Sequence, residues 1–355
     1  MKKFISIILA LTLCASSAAL FTGCGKSYDG EVNVYNWGEN ISLGEDGAMD
    51  VISEFEEKYN IKVNYTNYET NEELYNMLKN SNSNYDVIIP SDYMIGKLIE
   101  EDMLAEINFD NVPNFETNIM DRFKNPEFDP ENKYSVPYTW GVVAMVYNTE
   151  MITTKPTSWN TLWDENLKGQ ILMFNNSRDA MAIAMQQCGA NPSNPTKEDI
   201  DKATEKLLTQ KPLLKKYVMD QVFTEMEGNQ SAVAPYYAGD IAMMMDNNES
   251  LDYVLPVEGS NMFIDSMCIP KDSKNKENAE KFINFMLEPE VGKANAEYIG
   301  YATPNQKAFD LLDEEIKNNE LIYPSDEYVA KCYTFGTIPD DVYAYMQEQF
   351  VKAQS

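Results

Sequence analysis

Residues 86–90 read DVIIP, a short apolar run that follows directly from an acid and ends at a proline. A run without polar alternation is typical of a strand that is covered on both faces, as strands of parallel sheets are. Strand patterns precede it at residues 32–34 and 61–65, and amphipathic helix patterns at residues 50–59 and 71–78. The first hundred residues therefore predict a β-α-β-α-β unit, which is half of a doubly wound α/β fold.

A second unit of the same kind is predicted later in the chain. Residues 170–174 (QILMF) and 241–245 (IAMMM) are predicted to be further buried strands. Ordered segments that could cross between the units are residues 134–148, 262–270 and 297–305. Several crossings mean that neither unit is continuous in sequence. The predicted division is a first lobe of residues 31–139 and 264–309 and a second lobe of residues 140–263 and 310–355.

The amino terminus has the pattern of a secretory signal. Two lysines are followed by an apolar run over residues 4–13, which is too short to span a membrane. The dipeptide Gly23-Cys24 is similar to the cleavage site of bacterial lipoproteins. We therefore predict a signal peptide over residues 1–23, lipidation of Cys24, a tether over residues 24–30 and an extracytoplasmic, membrane-anchored protein. Ordinary cleavage nearby would instead leave Cys24 as a free thiol.

The composition excludes several kinds of chemistry. The 355 residues carry a net charge of −29 and include no histidine. Such an acidic surface repels nucleic acid, and the lack of histidine removes the usual general bases and most zinc sites. Cys188, Cys268 and Cys332 lack metal-ligand spacing, so we interpret them as buried free thiols. We expect no cofactor, no metal and no nucleic-acid partner, and we expect a monomer.

Acids and aromatic residues follow the predicted strands. They are Trp37 and Glu39 after the first strand, Ser91, Asp92 and Tyr93 after Pro90, Asn176 and Asp179 after residue 174, Asp246 and Asn247 after residue 245, and Phe263 and Asp265 in a crossing segment. Ligands of open parallel sheets bind outside the carboxyl ends of the strands. We therefore expect these side chains to line one cleft between the lobes. Carboxylates and aromatic faces suit a cationic, aliphatic ligand such as a polyamine.

Some of these residues also have a purely structural interpretation. Ser91 could be the N-cap of a helix, and Asp179 could only complement a helix dipole. For Tyr138 and Trp140, core packing and ligand contact both stay open. Acids and rings at several strand ends together favour a binding site.

Six motifs resemble those of one known family. They are YNWGENI (35–41), NYDVIIPSDYMIGKL (84–98), YSVPYTWGVVAMVYN (134–148), SWNTLWDENLKGQILM (158–173), EGSNMFIDSMCIP (258–270) and EYIGYATPN (297–305). In this order they resemble the spermidine/putrescine-binding proteins of bacterial ABC importers. The resemblance implies an α/β, two-lobed class II periplasmic-binding-protein fold, in which each lobe is a mixed, mostly parallel sheet flanked by helices and the ligand cleft lies between the lobes.

The resemblance also implies particular ligand contacts. They are Trp37, Glu39, Ser91, Tyr93, Asp179, Phe263, Asp265 and Tyr301. This sequence departs from the family pattern at Asn40, which replaces a tyrosine, and at Asn176, which replaces an aspartate. Asn247 aligns with a second tryptophan of some members, and the neighbouring Asp246 could compensate for its loss. A C-terminal contact falls near residues 333–336.

Three functions are compatible with these observations. The first is a lipid-anchored receptor that binds putrescine, spermidine or both by lobe closure and delivers the polyamine to the permease and cytoplasmic ATPase of an ABC importer. The second is a receptor for another small cationic solute on the same fold. The third is a thiaminase-like enzyme that uses Cys268. The apolar neighbours of Cys268 favour a buried thiol, and therefore a binding protein that is not an enzyme.

Overall fold

The computed structural model describes residues 27–38, 40–80 and 83–355. The predicted signal peptide, the predicted lipidation site Cys24 and the candidate ligand contact Glu39 lie outside the described residues. Within the described ranges, no helix combines the length and the apolar character that crossing a membrane requires.

One mixed sheet runs through the described chain. Its strands are β1 (Gly30–Trp37), β2 (Ile61–Tyr68), β3 (Val87–Ile88), β4 (Ser135–Asn148), β5 (Ile171–Phe174), β6 (Leu214–Val218), β7 (Val233–Tyr237), β8 (Leu251–Val254) and β9 (Met262–Cys268). Their order is β2-β1-β3-β9-β4-β7-β5-β6, and β8 pairs with β4. The pairs β1/β2, β1/β3, β5/β6 and β5/β7 are parallel, whereas β4 and β9 are antiparallel to their neighbours.

Helices connect the strands along the chain. They are α1 (Val51–Tyr59), α2 (Asn71–Lys79), α3 (Asp92–Glu100), α4 (Pro113–Asn118), α5 (Ser177–Cys188), α6 (Lys197–Gln210), α7 (Gln221–Glu227), α8 (Ala238–Asn247), α9 (Lys276–Met286), α10 (Pro289–Ile299), α11 (Gln306–Leu311), α12 (Glu314–Lys317), α13 (Asp326–Val329) and α14 (Asp340–Gln354). The element order β1-α1-β2-α2-β3 confirms the predicted β-α-β-α-β unit, and with it the α/β class.

Local chemistry explains where the first helices begin. The Asp50 carboxylate accepts a hydrogen bond from the Ser53 amide and thereby caps α1. Helix α2 is capped by the Thr70 hydroxyl. Asn71 is the first helical residue after this cap, so its side chain is available for other contacts.

The two central strands of the sheet are almost completely buried. All residues of β4 are buried, and β9 is buried from Phe263 to Cys268. They contain two of the predicted crossing segments, and β9 lies between β3 and β4. The third predicted crossing is the end of α10 and the following loop, which touches β4 through a bridge between Trp140 and Ala302.

Residues 241–245 are not a strand, so that prediction was wrong. They lie inside α8, with Ile241 and Met244 buried and Met243 exposed, which is a helical spacing. A short apolar run is compatible with a buried strand or a buried helix face. The preceding residues decide the outcome, because β7 ends at Tyr237 and the chain turns there into α8.

Candidate functional site

The ends of β1, β3, β5 and β7 and the middle of β9 bring most of the predicted site residues together. The residues concerned are Ser91, Tyr93, Asp179, Phe263, Asp265 and Tyr301, joined by contacts and strand pairings, and Trp37, which parallel pairing of β1 with β3 brings to the same edge of the sheet. The predicted convergence of strand ends on one site is therefore reproduced in the geometry. Their role in ligand binding stays a prediction.

An aromatic wall surrounds Phe263. Its ring centroid is 5.6 Å from that of Tyr237 and 5.9 Å from that of Tyr301, and both pairs meet edge to face. The wall is closely packed against α8, because a Cβ atom on Gly239 would come within 2.6 Å of the Tyr301 ring. The aromatic faces are therefore held in fixed positions.

Asp265 is buried beside this wall, on the same face of β9 as Phe263. The Thr139 hydroxyl donates to Asp265 Oδ2 over 3.5 Å, whereas Oδ1 is buried and has no hydrogen-bond partner among the described residues. Burial raises the pKa of Asp265 to about 6, although hydrogen bonds from Ser91 and Thr139 oppose the shift. A buried carboxylate with one open oxygen is prepared to accept a cationic donor.

Asp179 has the same arrangement in the first turn of α5. The Tyr237 hydroxyl donates to its Oδ2 over 2.9 Å, and its buried Oδ1 has no hydrogen-bond partner in the described part of the chain. Burial raises the pKa of Asp179 to about 6, against the hydrogen bond from Tyr237 and the attraction of Arg178. Asn176 is the N-cap of this helix and accepts the Arg178 amide, so its side chain has a structural role.

Ser91 and Tyr93 are positioned by Asn71. Its amide group donates to the Ser91 hydroxyl over 3.2 Å and to the Tyr93 hydroxyl over 3.1 Å. Ser91 occupies the N-cap position of α3, but its side chain makes no capping hydrogen bond. Its hydroxyl is therefore available to Asp265, which favours the predicted site over the capping interpretation.

Trp37 ends β1 on the same side. Its ring packs on Tyr68 at a centroid distance of 4.6 Å. The Nε1 atom is buried and has no hydrogen-bond partner among residues 27–38, 40–80 and 83–355. Asn40, which replaces a family tyrosine, is buried and donates to Asn36 Oδ1 over 3.0 Å.

Asp246 and Asn247 do not reach this cluster. Because residues 241–245 are helical, both side chains lie at the exposed carboxyl end of α8. Asn247 donates to Glu227 over 2.9 Å. The expectation that they follow a strand into the cleft was wrong.

Tyr237 and Asp240 occupy the place that was predicted for Asp246 and Asn247. Tyr237 is the last residue of β7, and Asp240 accepts the Tyr301 hydroxyl over 2.9 Å from the first turn of α8. Burial raises the pKa of Asp240 to about 7. The segment VAPYYAGD has the required pattern of an apolar strand, an aromatic end and an early helical acid, and it could have identified both residues.

The segment near residues 333–336 contributes a ring and a carbonyl group. Arg178 is buried, its guanidinium lies 4.5 Å from the Phe335 centroid and 4.8 Å from the Tyr93 centroid, and it donates to the Gly336 carbonyl over 2.9 Å. Arg178 thus connects α5, α3 and the C-terminal segment next to the candidate site. Sequence reasoning missed this cation.

The cysteines give no support to an enzyme. Cys268 is buried, and burial raises the pKa of its thiol well above the ordinary value, which disfavours the reactive thiolate. Cys188 is exposed and Cys332 is half-buried, so the prediction of three buried thiols was wrong for these two. Among the described residues, no group of three or more acids and thiols is arranged to hold a metal ion.

The fold and the site define a class: a receptor for a small solute, with ligand groups at the strand ends of an α/β sheet. The family model "Bacterial extracellular solute-binding protein" matches residues 50–324. The spermidine/putrescine-binding periplasmic protein of Salmonella typhimurium is 33% identical over 334 residues, which cover 93% of each chain. The putrescine-binding periplasmic protein SpuD of Pseudomonas aeruginosa is 29% identical, and the alignment covers all of this chain and 99% of that protein.

A solved structure agrees with these relatives. The spermidine/putrescine ABC transporter substrate-binding protein PotD from Streptococcus pneumoniae superposes with a TM-score of 0.81 and 34% identity, covering 91% of this chain and 98% of that chain. The chain belongs to the family of bacterial extracellular solute-binding proteins. Membership confirms the predicted family, the periplasmic-binding-protein fold, the extracytoplasmic location and the prediction of a binding protein that is not an enzyme.

Proposed function

We propose that this chain binds a polyamine, putrescine or spermidine or both, and delivers it to the permease of an ABC importer with a cytoplasmic ATPase. The observation that supports this most directly is the pair Asp179 and Asp265. Each is buried, has one oxygen bonded to a hydroxyl group, and has one open oxygen in the described part of the chain. Ammonium groups pair with carboxylates, and Phe263 and its neighbouring rings can cover the methylene chain between them.

The relatives support the same ligand class. Their names specify spermidine and putrescine in one case and putrescine alone in another. Both ligands combine primary ammonium groups with an apolar carbon chain, which is the chemistry that the rings and acids of the site suit. The preferred polyamine is part of the proposal to be measured.

The proposal includes a lipid anchor at Cys24, a monomeric state, and two lobes with the boundaries given above. Gly23-Cys24 in the sequence supports the anchor, and two acyl chains give stable membrane attachment. We expect Cys24→Ala to release the protein from the membrane or to leave it unprocessed, as fractionation and mass measurement would show. Membrane retention of mature-sized Cys24→Ala protein would contradict the anchor.

Calorimetric titration of the purified protein with putrescine, cadaverine, spermidine and spermine tests the ligand class. We expect saturable binding of at least one of the four with one ligand per chain. Asp252→Asn is a suitable control, because Asp252 also accepts a tyrosine hydroxyl, from Tyr147 over 2.8 Å, but does so on β8 outside the cluster. Absence of binding for all four amines would overturn the proposed function.

A further inference from the structure

We propose that Asp92 is an additional ligand-binding residue, which forms with Asp265 a carboxylate pair for one ammonium group of the ligand. The inference rests on the proposed function and makes it more specific. Asp92 is the first residue of α3 and is only 1% exposed. Its Oδ1 accepts the Tyr93 amide over 2.7 Å, whereas its buried Oδ2 has no hydrogen-bond partner among the described residues.

The backbone places Asp92 beside Asp265. Ser91 and Asp265 form an antiparallel bridge, and the Ser266 amide donates to the Pro90 carbonyl over 3.0 Å. The chain that enters α3 therefore continues alongside β9 on the side where β3 pairs with it. The Ile264 amide lies close enough to Asp92 to lower the pKa of its carboxyl group, but it makes no hydrogen bond to the buried Oδ2. Two buried carboxylates in this position repel each other, so a cation between them is strongly favoured.

The protein itself does not supply that cation. Arg178 attracts Asp92, but its guanidinium lies against the rings of Tyr93 and Phe335 and donates to the Gly336 carbonyl. Within the described residues, no salt bridge joins Arg178 to Asp92 or Asp265. The open oxygens of the two acids are therefore left for a cation from outside.

This pair compensates for the acid that the family pattern has at Asn176. Asn176 carries no charge and its oxygen is used as the cap of α5. Asp92, on α3 rather than on α5, restores one carboxylate. The ligand would then have its ends between Asp92 and Asp265 on one side and beside Asp179 on the other, with the aromatic wall around the carbon chain.

Titration of Asp92→Asn with putrescine tests the proposal. Asparagine keeps an acceptor oxygen for the Tyr93 amide, so the start of α3 is preserved. We expect roughly tenfold or greater loss of affinity, because a charge-assisted hydrogen bond is replaced by a weaker neutral one. The ligand-free melting temperature should stay equal or rise, because an unpaired buried carboxylate is removed. Asp121→Asn, at an exposed acid that begins a short 3-10 helix, is the matched control.

Proton release gives a second readout that a structural role would not change. Burial and the nearby Asp265 raise the pKa of Asp92 to about 7, whereas Tyr93, Arg178 and Ile264 oppose the shift. An ammonium group at Asp92 would lower this pKa again, so binding at pH 7 should release protons. The number of protons released is measured by calorimetry in phosphate and in Tris, because these buffers differ in ionisation enthalpy. The Asp92→Asn variant should release fewer protons than the wild type.

The outcomes are distinguishable. Wild-type protein that binds no polyamine would overturn the proposed function together with this inference. Wild-type binding with an Asp92→Asn affinity within twofold would overturn only the role of Asp92. Weaker binding with unchanged proton release would also overturn that role, because the loss would then come from a displaced α3. Weaker binding with reduced proton release, in the absence of any effect of Asp121→Asn, is the result we expect.

Discussion

At the scale of single residues, the candidate site stands out because its acids lack partners. Asp92, Asp179 and Asp265 are each more than nine-tenths buried, and each has an oxygen with no hydrogen-bond partner in the described chain. Buried polar atoms without partners are uncommon in folded proteins. By contrast, the buried carboxylate of Asp129 is satisfied by the amides of Lys133, Tyr134 and Ser135. The open oxygens therefore support the proposal that these acids bind the ammonium groups of a ligand.

Asp265→Asn is the most direct test of this interpretation. Removing one partner of a buried charge pair costs about 2–5 kcal/mol, so polyamine affinity should fall by roughly 30-fold to several thousandfold. The ligand-free melting temperature should hold or rise, because the unpaired charge is lost. Calorimetry and thermal unfolding of the same variant measure both quantities. Unchanged affinity with a lower melting temperature would show that Asp265 only stabilises the sheet.

Polyamine affinity should depend on pH through Asp179 and Asp265. Burial raises the pKa of each to about 6 from the ordinary value of 3.8, so both are largely protonated at pH 5 and ionised at pH 8. Because the ligand needs the ionised forms, affinity should rise over this interval, by up to about tenfold for each acid. Titrations at the two pH values measure this, and equal affinities would contradict it.

The same raised pKa values predict the pH dependence of stability without ligand. The folded state binds protons more tightly than the unfolded state, so these acids lower the free energy of unfolding as pH rises from about 4 to 6. The double variant Asp179→Asn, Asp265→Asn should lose this contribution. Urea unfolding at several pH values compares the two proteins.

At the scale of elements, local signals sufficed for some of the structure and not for the rest. Strand β3 and helices α1 and α2 were predictable, because caps, apolar spacing and a proline lie within a few residues of one another. The helix over residues 241–245 was not predictable, because a run of five apolar residues fits a strand or a helix face equally well. That one error displaced the predicted contacts from Tyr237 and Asp240 to the end of α8.

The contacts across the site were beyond the reach of local signals. The bridge between Ser91 and Asp265 joins residues that are far apart in sequence, and no periodicity predicts such a pairing. The family resemblance supplied Asp265, Ser91 and Tyr93 as site residues, but it supplied neither Asp92 nor Arg178. Asp92 was among the acids expected at strand ends, but its position beside Asp265, and the position of Arg178, became visible only after α3, α5 and β9 had been placed side by side.

Arg178 should contribute to stability as the cation that joins α3, α5 and the C-terminal segment. A desolvated guanidinium on an aromatic face contributes about 2 kcal/mol, whereas an exposed one contributes about 0.5–1 kcal/mol. Arg178→Met should therefore lower the free energy of unfolding more than Arg122→Met, since Arg122 lies on Phe123 and Trp140 with a 44% exposed side chain. Urea unfolding compares them, and equal losses would contradict the role of Arg178.

At the scale of the whole molecule, several contacts join residues of the two proposed lobes. The Tyr343 hydroxyl donates to Glu72 over 2.7 Å, Lys97 pairs with Asp340 over 2.6 Å, and the Tyr93 and Phe335 rings meet edge to face. If the proposed lobes close on the ligand, contacts of this kind form on closure. They favour the closed state in addition to the ligand.

Tyr343→Phe should weaken polyamine binding although Tyr343 lies on α14, outside the predicted contacts. One hydrogen bond contributes about 1 kcal/mol, which corresponds to roughly fivefold in affinity if the bond forms only on closure. Tyr147→Phe removes the same kind of bond, to Asp252, inside the second proposed lobe and should leave affinity unchanged. Calorimetry compares the variants, and equal effects would contradict closure at this contact.

The position of β9 between β3 and β4 has a consequence for how the chain matures. Strand β9 begins at residue 262 and joins β3, near residue 88, to β4. During export from the amino terminus, the first half of the sheet therefore waits for a strand that emerges nearly three-quarters of the way along the chain. Pairings between such distant segments form slowly, so we expect the first half of the sheet to remain incomplete until the residues of β9 are available.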